Sequence, residues 1–281
     1  MKFDSNRAWK EATSAIAANR DVLLALAGVF FLVPSLAFNL LFPQQQAEMP
    51  VPERSGAPSG EAMAEVLQQM QQMQTEALPW VIPMAIFQAV GTLAILTLFT
   101  DHSRPTVGEA IRRGLGGVLT YFGSQILLAF GLAIVGGVLI GVAAATGSAM
   151  LMVLAVGIVI VGALYAAVKT SLVAPVIAVE GQRNPVAVLQ RSWRLTKGNS
   201  VRIALFYLLL LVAFLVIMMI VSAILGIVLA LLAGQEGAQI GAAVISSVLG
   251  AAMTLYFVAI IASIHRQLAG PSAGAISETF E

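Results

Sequence analysis

Apolar residues run along this chain in unbroken blocks and do not alternate with polar ones at helical or strand period. A hydrocarbon layer of roughly 30 Å needs about 20 apolar residues in helix, and six blocks meet that length, at about 21–42, 78–99, 118–145, 149–179, 201–232 and 238–263. Helix is required because lipid offers no partners to bare backbone groups, and the period-two alternation of a membrane barrel is missing. Thr146, Gly147 and Ser148 part the third and fourth blocks, and Gly234, Gln235, Glu236 and Gly237 part the last two. Both interruptions suit helical hairpins. The pattern predicts an all-α integral membrane protein, one membrane domain over residues 1–270 with six transmembrane helices arranged as three hairpins. Several blocks exceed the minimum, which allows tilt or a break near Pro175 or Gly226.

A short amphipathic stretch precedes each odd-numbered span. In the first, Trp9, Ala12 and Ile16 share a helical face. In the second, Thr106 and Glu109 form a capping box ahead of Val107, Ala110, Ile111 and Leu115. The third opens at Asn184 and Pro185 and stops at Gly198 and Asn199; its pattern buries Val186, Leu189 and Trp193 and turns Gln190, Arg191, Arg194 and Lys197 outward, as in a helix lying in the headgroup layer. The chain thus reads as three units of interfacial helix plus hairpin, with a true repeat and mere recurrence both open.

Residues 43–77 form the one sizeable insertion, a proline-bearing linker followed by a helix over Glu61–Thr75. Met63, Val66, Met70 and Met73 give that helix a short heptad seam, read as a face resting on the membrane or neighbouring spans, with self-association as the alternative. A copper(I) site at Met70 and Met73 is a weaker reading, because thioethers without His or Cys are a poor metal signal.

Composition supports the membrane reading: of 281 residues, 59% are hydrophobic and 10% charged, too little charge to cover a water-soluble globule. The net charge of +1 says nothing about orientation, but the position of each basic residue does. Lys2, Arg7, Lys10, Arg20, Arg104, Arg112, Arg113, Arg183, Arg191, Arg194, Lys197, Arg202 and Arg266 all fall on one side of a six-span arrangement. The other side keeps Arg54 among Glu48, Glu53, Glu61, Glu65, Glu76 and Glu236. The basic side is assigned to the cytoplasm, with both termini and the 271–281 tail, and the 43–77 insertion lies outside. Ser35 and Ala37 resemble a signal-peptidase site, but the block is long for a secretory core and cleavage would leave five spans.

Absent cysteines exclude disulfides and thiolate chemistry. His102 and His265 sit at helix ends without zinc-protease spacing and read as ordinary interfacial residues, and the stretch around Gly114, Gly116 and Gly117 lacks the Lys and Ser or Thr of a phosphate loop. No catalytic residue, metal ligand, cofactor or nucleic-acid partner is expected. Lys169 is the clear intramembrane charge; it lies close enough to the cytoplasmic boundary to snorkel, or it lines a polar site with Gln88 and Gln125. Gly137 and Gly141, followed by Ala145, mark a face for close helix packing, and Pro34, Pro83 and Pro175 are candidate kinks.

The segment from Pro175 to Ile203, with its core Arg191-Ser192-Trp193-Arg194-Leu195-Thr196-Lys197-Gly198-Asn199, resembles the membrane domain of bacterial glycerophosphoryl diester phosphodiesterases and their stand-alone relatives. In enzymes of that family the membrane domain is fused to a soluble catalytic barrel that binds a divalent metal. The 18 residues after Ser263 cannot form such a barrel, so the resemblance implies a non-catalytic, accessory membrane domain of the bacterial inner membrane. The leading expectation is a lipid-associated or scaffold protein in which Arg191, Arg194 and Lys197 contact anionic headgroups or a protein partner and Trp193 inserts. Membrane lipids, a second copy or another membrane protein are the expected partners. The alternative is a transporter or channel for a small or lipid-like solute that uses Gln88, Gln125 or Lys169.

Overall fold

The computed structural model describes residues 2–42, 60–100 and 105–270. The linker expected over 43–59, His102, Arg104 and the tail from 271 lie outside the described residues, as do the side chains of Met63, Val66, Met70, Met73 and Glu236. Among the described residues the chain is helical and contains no strand. Six helices, Arg20–Leu41, Ala77–Phe99, Val107–Ala145, Ala149–Val179, Ser200–Gly234 and Gly237–Ala269, are long and apolar enough to cross a membrane. None of the most apolar stretch of Ser200–Gly234 and only 11% of that in Val107–Ala145 is buried within the chain. Surface of that kind needs lipid as its solvent, which makes this a multi-pass membrane protein.

Two compact units emerge. The first comprises Met1–Leu24, Ala89–Phe214 and Leu255–Glu281. It holds α1 (Ser5–Ala18), the end of α4 (Gly60–Thr100), all of α5 (Val107–Ala145), α6 (Ala149–Thr170), α7 (Val173–Val179) and α8 (Pro185–Leu195), and both ends of α9 (Ser200–Ala269). Asp4 caps α1 by accepting from the Arg7 N–H, and the Phe3 N–H donates to buried Asn199 Oδ1 at 2.9 Å, fastening the start of the chain to the start of α9. The buried face of α1 is Ala8, Ala12 and Ile16. Trp9, expected on that face, is instead part-exposed and stacks on Tyr256 at 5.9 Å between ring centroids.

The Thr106–Glu109 capping box is present in both directions. The helix it opens runs without interruption to Ala145, so the second amphipathic stretch and the third span are a single helix. Glycines seat it against its neighbours: a Cβ at Gly114 would lie 3.0 Å from the Val90 carbonyl oxygen, and one at Gly117 2.8 Å from Ile177 Cγ2. Farther along, Gly136 faces Val159 of α6, whereas Gly137 and Gly141, the expected packing pair, meet no neighbour. Gly147 closes the turn into α6 at φ 65°, and Ser148 caps α6 through the Leu151 N–H.

The second unit comprises Ala25–Gln88 and Leu215–Thr254. Here the first span passes from α2 (Arg20–Ala27) through a π-helical turn, Gly28–Leu32, into α3 (Val33–Leu41). Pro34 explains the wider turn: it has no N–H for the Phe30 carbonyl and its ring would collide with that carbonyl in a regular helix. Asn39 donates to Ser247 Oγ at 2.9 Å, a side-chain bond between the first and last spans. Pro79 and Pro83 lie inside α4, which continues through residues 76–78 where the sequence predicted a helix boundary. α9 is broken at Gly234, whose φ of 68° suits a residue without a Cβ.

Candidate functional site

The fourth span does not cross as one helix. α6 ends at Thr170, and α7 starts at Val173, two residues ahead of Pro175, which cannot donate to the carbonyl of Ser171. A break of this kind leaves backbone groups without helical partners, an expensive state near lipid. α8 repairs it. Buried Ser192 donates to the Lys169 carbonyl at 2.8 Å and accepts from the Leu172 N–H at 3.2 Å, while Thr196, one turn later, reaches the same carbonyl at 3.5 Å. Ser192 and Thr196 are the hydroxyl residues of the Arg191–Asn199 segment, and this is their physical work. Sequence reading included both in the Arg191–Asn199 core without giving either a structural role; their spacing of four on an amphipathic helix was the available signal.

α8 is held in place for this task. Asn184 caps it, accepting from the Val186 and Ala187 N–H groups. Thr120 of α5 donates to the Arg183 carbonyl at 2.9 Å, Ser124 reaches the Pro185 carbonyl, and the bare backbone at Gly123 lets Pro185 settle against α5. The face of α8 turned into the protein is Val188, Ser192 and Leu195. Val186 and Trp193, which the sequence pattern placed on the face turned to the headgroup layer, are 50% and 43% exposed, while Val188, absent from that expected face, is buried.

Lys169 lies directly beneath. It is 3% exposed, and its Nζ sits 5.5 Å from the ring centroid of Tyr165 and 5.4 Å from that of Trp193, the two rings meeting edge to face. Snorkelling, the conformation its position near a helix end predicted, does not occur: the lysine folds under an aromatic cover, an arrangement worth about 2 kcal/mol when desolvated. Gln125 is exposed and hydrogen-bonds to Tyr121 on its own helix, and Gln88 belongs to the second unit, half-buried.

On the far side of α8, Arg191 Nε donates to both oxygens of Glu180, at 2.9 and 3.1 Å. Glu180 Oε1 also takes a 3.0 Å bond from Nε2 of His265, a residue 3% exposed. Because an ionised carboxylate only accepts, Nε2 carries the proton. Burial acts to raise the Glu180 carboxyl, but the bonds from His265 and Arg191 outweigh it and hold it down to about 2. Arg191 is therefore committed to Glu180, whereas Arg194 and Lys197 extend outward. A similar knot ties α1 to the end of α9, where Glu11 accepts from Arg7, from Ser263 at 2.9 Å and from Arg266. Burial works against the Glu11 charge, and these donors keep its carboxyl below the ordinary value. Glu180 was legible only as the polar end of an apolar block, and His265 looked interfacial.

Measured against models of known protein families, curated proteins and solved structures, the chain matches none of them.

Proposed function

We propose that this chain is a non-catalytic, lipid-associated membrane protein of the bacterial inner membrane, in which α8 lies at headgroup level on the cytoplasmic side. Kinship with the membrane domain of glycerophosphoryl diester phosphodiesterases belongs to this proposal and rests on residues 175–203. In the same reading both termini are cytoplasmic, the spans pair as hairpins, and α1 and the start of α5 also border the headgroup layer.

The supporting observation is the division of α8 into three faces. Val188, Ser192 and Leu195 pack inward; Val186 and Trp193 form an uncovered apolar strip; Arg194 and Lys197 flank that strip with unburied charge. A helix so divided presents its strip to acyl chains and its cations to anionic headgroups. Each basic residue there contributes about 1 kcal/mol of attraction. The solute-pathway alternative draws less support, since Gln125 points outward and Lys169 is enclosed by rings. Native mass spectrometry of detergent-extracted protein tests the reading. Arg194→Gln/Lys197→Gln should lower retention of anionic over zwitterionic lipid by about thirtyfold; equal retention by variant and wild type overturns the reading.

A further inference from the structure

Lys169 is an enclosed cation with no anionic partner among the described residues. No carboxylate among the described residues pairs with it, and its recorded Nζ contacts are the faces of Tyr165 and Trp193. Two π faces offset part of the desolvation cost of an ammonium group, but they supply no oxygen acceptor. The negative end of α6, in whose last turn Lys169 sits, favours the charge without accepting from it. Residues that approach from the other side are also incomplete as partners: Ser192 and Thr196 direct their hydroxyls to the Lys169 backbone carbonyl, and Glu180 is occupied by Arg191 and His265.

The cover over this cation is accessible. Trp193 is 43% and Tyr165 50% exposed, and Lys197 stands four positions beyond Trp193 with its charge outward. Below them on α6, Val161 and Ile158 continue the Tyr165 stripe at helical spacing, all uncovered. The sequence of chemistries along this surface is cation, aromatic cover, buried cation, then a long apolar track.

From this order we infer that Lys169 is the inner contact of a phosphate subsite for an anionic phospholipid. Trp193 swings aside to admit the headgroup, Lys197 meets it outside, and an acyl chain lies along Tyr165, Val161 and Ile158. The inference rests on the headgroup-level placement of α8 proposed above. It differs in locating the decisive contact on a transmembrane helix. The apolar track favours a lipid over free phosphate as the source of the anion.

The test uses the full chain in detergent micelles with three probes added separately: phosphatidylglycerol, phosphatidylcholine and inorganic phosphate. Native mass spectrometry should show phosphatidylglycerol retained in preference to the other two, with Lys169→Met lowering that retention by about tenfold and Lys169→Arg keeping it. Retention by Lys169→Met at the wild-type level, together with loss in Arg194→Gln/Lys197→Gln, overturns the subsite and leaves the surface reading standing. Equal retention of phosphatidylglycerol and phosphatidylcholine by the wild type overturns both, and a preference for inorganic phosphate overturns the lipid assignment. A measurement independent of the stability of the Met variant is phosphorus-to-nitrogen dipolar dephasing in a Lys2→Arg/Lys10→Arg/Lys197→Arg protein, where Lys169 is the sole labelled lysine. Dephasing by phosphatidylglycerol is expected, and its absence removes the contact.

Discussion

Glu180 Oε1 lies 3.0 Å from His265 Nε2, so a residue at the end of the fourth span and one near the end of the sixth share a carboxylate that Arg191 also grips. Glu180→Gln should destabilise the protein by about 1–3 kcal/mol, a range that allows for solvent screening of the partly exposed arginine. The pH dependence has a definite sign. Since the folded carboxyl sits at about 2 against an ordinary 4.5, its contribution is complete above the ordinary value and disappears as pH falls toward about 2. Thermal midpoints in detergent should therefore separate wild type from Glu180→Gln at neutral pH and converge through that window. A separation unchanged by acid would show that the carboxylate charge is not what holds these helices.

Removing the Ser192 hydroxyl strips the Leu172 N–H and the Lys169 carbonyl of a shared partner. Ser192→Ala should cost about 1–3 kcal/mol, because buried groups lose a bond they cannot replace. Ser200→Ala, which deletes only a bond back to the Thr196 carbonyl in the preceding turn, should cost less than about 0.5 kcal/mol. The two variants, unfolded side by side in detergent, give the comparison; equal midpoints would mean that the break is mended by something else.

Glycine positions provide a third contrast. Gly117→Val drives a branched side chain into Ile177, Leu93 and Arg183 and should destabilise by about 1–3 kcal/mol, whereas Gly137→Ala enters open space and should be neutral or slightly favourable. Expression level and thermal midpoint read out both. Tolerance of valine at Gly117 would contradict the close seating of α5.

Orientation is testable with the cysteine-free chain as background. Single cysteines at Glu61 and Glu236 should react with a membrane-impermeant maleimide on intact cells, and one at Lys197 only after permeabilisation. Labelling of Lys197→Cys from outside would invert the proposed topology.

Long-range organisation was legible where a single physical demand sets it. Six spans follow from the length of apolar blocks, and the α8 start and the Thr106 cap follow from residues whose side chains bond to their own helix ends. Partner-dependent features were not. α8 carries apolar residues on two faces, and period alone cannot say that Val188, Ser192 and Leu195 meet protein while Val186 and Trp193 stay outside. Gly137 and Gly141 have the spacing of a packing motif but no neighbour, while Gly114 and Gly117 have neighbours and were read only as a failed phosphate loop. A lysine near a membrane boundary has an easy route to water; only the position of Trp193, brought by a later helix, closes it over Lys169.

The mend at the fourth span also orders events during synthesis. Ser192 leaves the ribosome 20 residues after Leu172, so the discontinuity exists at first without its hydroxyl partner. The nascent segment must either stay continuously wound or leave the Lys169 carbonyl bare until the following helix is translated and docks. The final shape of this span thus depends on a hydroxyl that follows it in the chain and lies outside it.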